Sequence, residues 1–206
     1  MFLRDGEDLA SFVSELQQQS DRGLPLVGAA LIDELLQETL RSFFIEGKIS
    51  DKLLDEATGP LSTFSSRSKT CCALGLIDSC EYCEIEMIRK IRNEFAHAKH
   101  GKSFSDDRIQ SFCSNLKSNM PEGYPSENPR FRLLSAVVAI VLRLYYRPKW
   151  VALERRQPKD WMPNDPTFWR SVHDEMPTDS SPVIAIAKDI QGTPRIVVAK
   201  HVRNQK

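Results

Sequence analysis

Apolar residues recur with a helical period through the first three quarters of the chain. Leu9, Phe12, Val13 and Leu16 fall on one stripe of a first helix, which Gly23 separates from the next. Beyond that glycine, Leu24, Val27, Leu31 and Leu35 make one stripe while Ile32, Leu36, Leu40 and Phe43 make another. A helix apolar on two sides belongs in the middle of a bundle, and Asp33, Gln37 and Arg41 form its polar strip. Gly47 interrupts the pattern, a short third helix is predicted over 50–57, and Gly59-Pro60 forces a break before Ser62 or Thr63 caps a fourth. Gly75 ends or bends that helix. A fifth is predicted over 81–99 and a sixth from Ser105, as its N-cap, to Leu116, with a Pro/Gly/Ser/Asn-rich loop over 120–129.

The core of a seventh helix, 133–142, contains only Ser135 as a polar residue. That is a buried-helix length rather than a membrane span, and Arg147-Pro148 stops it. Composition then changes. Pro158, Pro163, Pro166, Pro177 and Pro182 are spaced along a segment that also holds Trp150, Trp161 and Trp169, which reads as an extended, surface-hugging strap. Two short β-branched runs, 183–187 and 196–199, flank a turn containing Gly192 and predict a terminal β-hairpin. The expected architecture is an all-α bundle of about seven helices over 1–147, with strap and hairpin over 148–206 packed on it.

Length and charge narrow the function classes. The 206 residues suffice to bury a real core. Lysine plus arginine equals aspartate plus glutamate, 28 against 28, so no global field draws the chain to nucleic acid or to an acidic membrane. Locally the first sixty residues are acidic, twelve against five, and the tail beyond 176 is basic. Arg4, Asp5, Glu7 and Asp8 precede any apolar stretch, which argues against a secretory signal and for a cytoplasmic protein. Cys71, Cys72, Cys80, Cys83 and Cys113 are an odd number in that setting, so they are expected as reduced thiols filling small core positions.

The densest candidate chemistry lies in the fifth helix, Ile88-Arg89-Lys90-Ile91-Arg92-Asn93-Glu94-Phe95-Ala96-His97. On a helical wheel Ile85, Ile88, Ile91 and Phe95 fall on one side, and Glu86, Lys90, Asn93, His97 and His100 fall opposite. Such a polar face is either solvated or a binding surface. Cys80-x-x-Cys83 followed by His97-x-x-His100 resembles a zinc-ligand list, but the histidine spacing is short for a zinc finger, and structural thiols are the better reading. Glu84, Glu86 and Glu94 interleave with Arg89, Lys90 and Arg92, which suits mixed-sign pairs on a helix surface better than a phosphate track. No helix-turn-helix, nucleophile elbow, phosphate-binding glycine loop or paired-carboxylate arrangement accompanies them. Neither a metal nor a cofactor is called for.

Asp21-Arg22, the helix from Gly28 to Asp33, Gly59-Pro60-Leu61 with Phe64 and Arg67, Gly75-Leu76-Ile77, and Ile91 to His97 together resemble the mannitol operon repressor family. The likeness covers roughly 21–116 and the seventh helix loosely. It implies an all-helical, repressor-type regulator of bacterial sugar-alcohol genes without a recognisable DNA-binding motif, whose structural motif here is Asp21, Arg22, Asp33, Gly59, Pro60 and Arg67. A neutral chain without a recognition helix gains phosphate-contact affinity poorly. Control is therefore expected through a protein partner, such as a DNA-binding regulator, with Arg89, Arg92, Asn93 and His97 as binding residues and the acidic front helices as a docking surface.

Arg92 to His97 also fits the R-x4-H pattern of the HEPN superfamily of small helical bundles, which includes metal-independent ribonucleases with sites commonly at a dimer interface. That likeness implies Arg92 stabilising a phosphate, Asn93 orienting, and His97 as general acid or base. On an ideal helix, however, Arg92 and His97 point about 140° apart. An architectural role for the same motif has Arg92 and Asn93 bonded to neighbouring loops, Asp21 or Asp33 as ionic partners, and His97 in a polar position of the bundle. A dimeric scaffold without catalysis is a third reading.

Overall fold

The computed structural model describes residues 6–98, 101–120, 123, 125, 127–159, 183–188 and 194–199. Two units emerge, divided between Gln157 and Pro158. The first is all-helical: α1 (Gly6–Gln18), α2 (Gly23–Phe43), α3 (Lys48–Asp55), α4 (Phe64–Ala73), α5 (Ser79–His97), α6 (Asp107–Ser114), α7 (Pro129–Tyr145), and a five-residue α8 (Arg147–Val151) that runs into a 3-10 turn, Ala152–Glu154. Both apolar stripes expected of α2 are buried, and α2 is the axial element, packed against α4, α5, α7 and α8. Leu24, Ile32, Leu36 and Leu40 are inaccessible to solvent, as are Ile85, Ile88, Ile91 and Phe95 of α5 and Leu133, Val137, Val141 and Leu144 of α7. Burial of side chains of this size stabilises by about 1.5–3 kcal/mol each before conformational entropy is charged against it.

Two glycines are dictated by close approach. A Cβ on Gly28 would stand 2.8 Å from a Val137 methyl, so α2 and α7 touch there because the position has no side chain. A Cβ on Gly59 would meet three backbone carbonyls of α3 and its C-terminal turn, those of Lys52, Glu56 and Leu53, at 2.8–3.0 Å. The amide of Gly59 bonds the Glu56 carbonyl and that of Leu61 the Leu53 carbonyl, folding Gly59-Pro60-Leu61 back on α3 before Thr63 caps α4. At the other end of α4, Gly75 takes φ +71. The Leu76 amide then reaches the Cys71 carbonyl and the Gly75 amide the Cys72 carbonyl, a Schellman closure that stops the helix.

Several boundaries differ from the sequence pattern. α3 starts directly after Gly47, two residues early, and α6 is capped by Asp106 rather than Ser105, the Asp106 carboxylate accepting from the Arg108 amide. α5 begins at Ser79 because Asp78 and Glu81 make a reciprocal capping box. Pro148 does not end the helical path. Missing an N–H only where a new helix would leave it unused, it sits in the first turn of α8, so the helical unit extends to Gln157, beyond the expected boundary at 147.

This last rod carries Arg147 and Val151 inward, while Tyr146, Trp150 and Leu153 are exposed, Trp150 at 68% and Leu153 at 78%. Trp150 is thus helical rather than part of a strap. Trp161, Trp169 and the rest of the expected strap over 160–182 lie outside the described residues. In the second unit, β1 (Val183–Lys188) and β2 (Pro194–Ala199) pair antiparallel, with Ile186 opposite Ile196. No helix among the described residues is long and apolar enough to cross a membrane.

Candidate interaction site around the fifth helix

The start of α5 is fixed by two buried carboxylates, one of which, Glu84, the sequence pattern placed on a mixed-charge surface. Glu81 is only 3% exposed: it accepts from the Asp78 amide at 2.9 Å and from Arg147 Nη2 at 2.7 Å, while Arg147 Nη1 also donates to the Leu76 carbonyl at 2.6 Å. Glu84, 6% exposed, accepts from the backbone amides of Lys117 and Ser118, both at 2.9 Å, and from the Ser118 hydroxyl at 2.6 Å. Buried carboxylates satisfied in this way bind the chain beyond α6 and the α7–α8 joint to the first turns of α5. Asp78-x-x-Glu81 was a legible signal for the cap; nothing local marks Glu84.

Farther along α5, Arg89, Arg92 and Asn93 come together with Asp33 of α2 and with Ser62, Thr63, Phe64 and Ser65 at the start of α4, around an open cleft of about 340 Å³. Behind it Arg67, with 10% of its side chain exposed, donates to Asp33 Oδ2 at 2.8 Å and to the Leu54 carbonyl at 3.2 Å. Asp33 Oδ1 and Arg67 Nε are buried with no hydrogen-bond partner. Burial pushes the Asp33 carboxyl above its ordinary value, against the pull of the Arg67 hydrogen bond and of the Arg67 and Arg92 charges. The structural salt bridge expected of Asp33 is therefore made with Arg67, tying α2 to α4.

The cations of the cleft are not equivalent. Arg89 grips Glu86 with two hydrogen bonds, Nε to Oε1 at 3.0 Å and Nη2 to Oε2 at 2.9 Å, and Glu86 also accepts from the Ser68 hydroxyl. Burial raises the Glu86 carboxyl, but the Arg89 hydrogen bond and charge, with Ser68, outweigh it and hold the group below its ordinary range. Arg92 is exposed, and its Nη1 donates to Asn93 Oδ1 at 3.0 Å. Neither Asp21 nor Asp33 is its ionic partner, as had been expected. Asp21 faces the start of α7 and pairs with Arg130 at 3.2 Å, and Asp33 is taken by Arg67. Arg22 closes the far end of α5, its Nη2 donating to the Ala96 carbonyl at 3.2 Å.

His97, the last residue of α5, is exposed rather than seated in a polar position of the bundle, and it does not line the cleft. The cleft thus unites three of the four binding candidates, Arg89, Arg92 and Asn93. His100 lies outside the described residues, and among those described no group of three or more histidine, cysteine or acidic side chains is placed to hold a metal ion. The thiols also depart from expectation. Cys71 and Cys113 are core residues whose thiols burial pushes up to about 12, but Cys72 is half-buried and Cys80 and Cys83 are exposed, because they fall beside the Glu81–Glu84–Ile88 stripe of α5 and not on it.

The helical unit is similar to a chain in the X-ray structure of the MtlR–HPr complex from Escherichia coli, with 19% identity and a TM-score of 0.53 over 66% of this chain and 98% of that one. It is also similar to YggD from Shigella flexneri 2a, described as a possible transcriptional regulator, with 16% identity and a TM-score of 0.53 over 71% and 98% of the two chains. At such identities these likenesses establish the fold. No curated protein matches the chain. A family model, that of the mannitol repressor, matches residues 16–129, a span that starts in α1, takes in the Asp33–Arg67 tie and the whole of α5, and ends where α7 begins. Because that match covers more than half of the sequence, the chain belongs to the mannitol repressor family.

Proposed function

We propose that this protein is a repressor-type regulator of sugar-alcohol genes that works by docking a protein partner on the α2–α4–α5 face, and not by reading DNA itself. The observation that carries the reading is the state of Arg92. It is an exposed guanidinium at the rim of a cleft where Arg89 and Arg67 already hold carboxylates, and among the described residues it makes no ion pair, which leaves it able to receive an acidic group from outside. Family membership supports the regulatory role, and the E. coli relative that shares this fold was crystallised with HPr, which makes HPr the first partner to test here.

Titration of HPr into the purified protein by calorimetry is expected to give saturable binding that Arg92→Glu weakens about tenfold or more, since reversing a contact charge costs at least about 1.4 kcal/mol. Binding unaffected by that substitution moves the contact off this face. Tight, sequence-selective occupation of an operator fragment by the protein alone at cellular ionic strength overturns the partner-mediated mechanism. The ribonuclease reading needs Arg92 and His97 on one phosphate, and the cleft holds Arg92 without His97. Structured and single-stranded RNA incubated in chelator with wild type or His97→Ala is accordingly expected to stay intact; cleavage by wild type alone would make the protein an enzyme.

A further inference from the structure

A second cleft, of about 490 Å³, opens at the other end of α5, away from Arg89 and Arg92. Its walls include Cys80, Cys83 and Met87 from α5, Ile140 and Arg143 from α7, and Lys117 from the chain after α6; Glu81 and Glu84 also line it, their carboxylates engaged by Arg147 and by residues 117–118. Both cysteines are free and exposed, and they stand three residues apart in the first turns of one helix. With a rise of about 1.5 Å per residue on a cylinder of radius about 2.3 Å, their Cα atoms are about 5 Å apart. That lies inside the range of about 4.4–6.8 Å found for disulfides, but Cβ atoms three residues apart on a regular helix stand about 5–6 Å apart against the roughly 3.5–4.5 Å of a disulfide, so closing the bridge draws in the first turns of α5. Lys117 and Arg143 are exposed cations with no carboxylate partner among the described residues, while Met87 and Ile140 supply apolar wall.

We infer that Cys80 and Cys83 form a reversible dithiol–disulfide pair, oxidised by exchange with an anionic low-molecular-weight disulfide of the glutathione type that enters this cleft. One protein thiolate attacks a sulfur of the small disulfide, and the first small thiolate leaves with the electron pair of the broken S–S bond. The second protein thiolate then attacks the protein sulfur of the mixed disulfide and expels the other small thiolate. The two protons given up by the cysteines end on the two departing thiols; the cysteine pair is oxidised and the small disulfide reduced. Lys117 and Arg143 attract the carboxylates of the incoming molecule, and the volume accommodates the mixed disulfide.

The position of the pair gives its oxidation a structural consequence. Glu81 lies between the two cysteines and Glu84 follows the second, so a covalent bridge across the first turns of α5 acts on both buried carboxylates that hold α5 to Arg147 and to residues 117–118. A redox change at the surface is thereby coupled to the packing of α5, α7 and α8.

The test uses the full-length protein, fully reduced and freed of reductant, equilibrated with glutathione disulfide at graded ratios to glutathione. The expected result is loss of the mass of two hydrogen atoms, two fewer alkylatable thiols out of five in denaturant, and a peptide linking Cys80 to Cys83, all reversed by dithiothreitol. Cys80→Ser or Cys83→Ser should instead stop at a stable glutathione adduct on the remaining thiol. Charge reversal of Lys117 and Arg143 should slow the exchange roughly threefold to tenfold; both side chains are exposed, and circular dichroism verifies that the variants fold. Full alkylation of all five thiols after oxidant, a bridge mapped to Cys72, or an exchange rate equal to that of an unstructured peptide bearing the same Cys-Glu-Tyr-Cys segment would each overturn the inference.

Discussion

Single residues in this chain act through what surrounds them more than through their own chemistry. Gly59 shows it most directly: it has no functional group, yet three carbonyl oxygens crowd the space where a side chain would start. Gly59→Ala is expected to cost about 1–3 kcal/mol in urea unfolding, because backbone atoms cannot give way as a flexible side chain can. Arg67 and Asp33 are the ionic counterpart. Removing Arg67 as Arg67→Ala should cost about 3 kcal/mol, towards the low end for a broken buried pair because Asp33 keeps 26% of its side chain in solvent. Replacing both with apolar residues of similar size should recover most of that loss.

Titration separates the carboxylates of this face. The folded-state pKa of Glu86 lies below its ordinary 4.5, so the ionised form favours the folded chain; that contribution is complete above the ordinary value and is lost as pH falls through the lowered one. Asp33 runs the other way. Its raised pKa means that the folded state holds the proton more tightly, so this group adds stability as pH falls from the raised value towards 3.8. Glu86→Gln is therefore expected to flatten the acid limb of a stability–pH curve measured by denaturant titration, and a slope unchanged by the substitution would contradict the Arg89–Glu86 assignment. At this scale the sequence was partly legible. Asp33 reads as part of a polar strip and does form an ion pair, with Arg67 rather than Arg92, but Glu84 looked like surface charge, because helical periodicity reports apolar positions and says nothing of a carboxylate satisfied by amides arriving from 33 residues away.

Elements were more legible than residues, since a helix displays its buried face as a repeat. The double stripe of α2 identified the central helix, and the Ile85–Ile88–Ile91–Phe95 stripe oriented α5 correctly, polar edge included. What periodicity could not supply was proximity. Only the fold shows that Gly28 lies against Val137, which leads to a paired test: Gly28→Ala should destabilise by about 1–3 kcal/mol, and adding Val137→Ala, which removes the obstructing methyls, should recover part of the loss. Simple additivity of the two substitutions would show that the helices do not meet there. Proline misled at α8 because the residue that breaks a helix interior also suits a first turn, and only the buried Val151 and the inward Arg147 distinguish the two outcomes.

For the molecule as a whole, charge balance and the lack of a groove-reading element pointed to action through another protein, and the fold supplies a face where Arg92 makes no ion pair among the described residues. The same fold supplies a warning for anyone cutting this chain into pieces. Arg147 reaches back across 71 residues to the Leu76 carbonyl and across 66 to Glu81, so a fragment stopped at the close of α7 strands a negative charge in a dry interior. Such a fragment should behave as a loosely packed, precipitation-prone species, whereas one carried through Gln157 should melt cooperatively in calorimetry. On that expectation one guanidinium sets the smallest piece that folds alone, and its reach explains why the residues up to Gln157, which read as the start of a strap, belong to the helical unit.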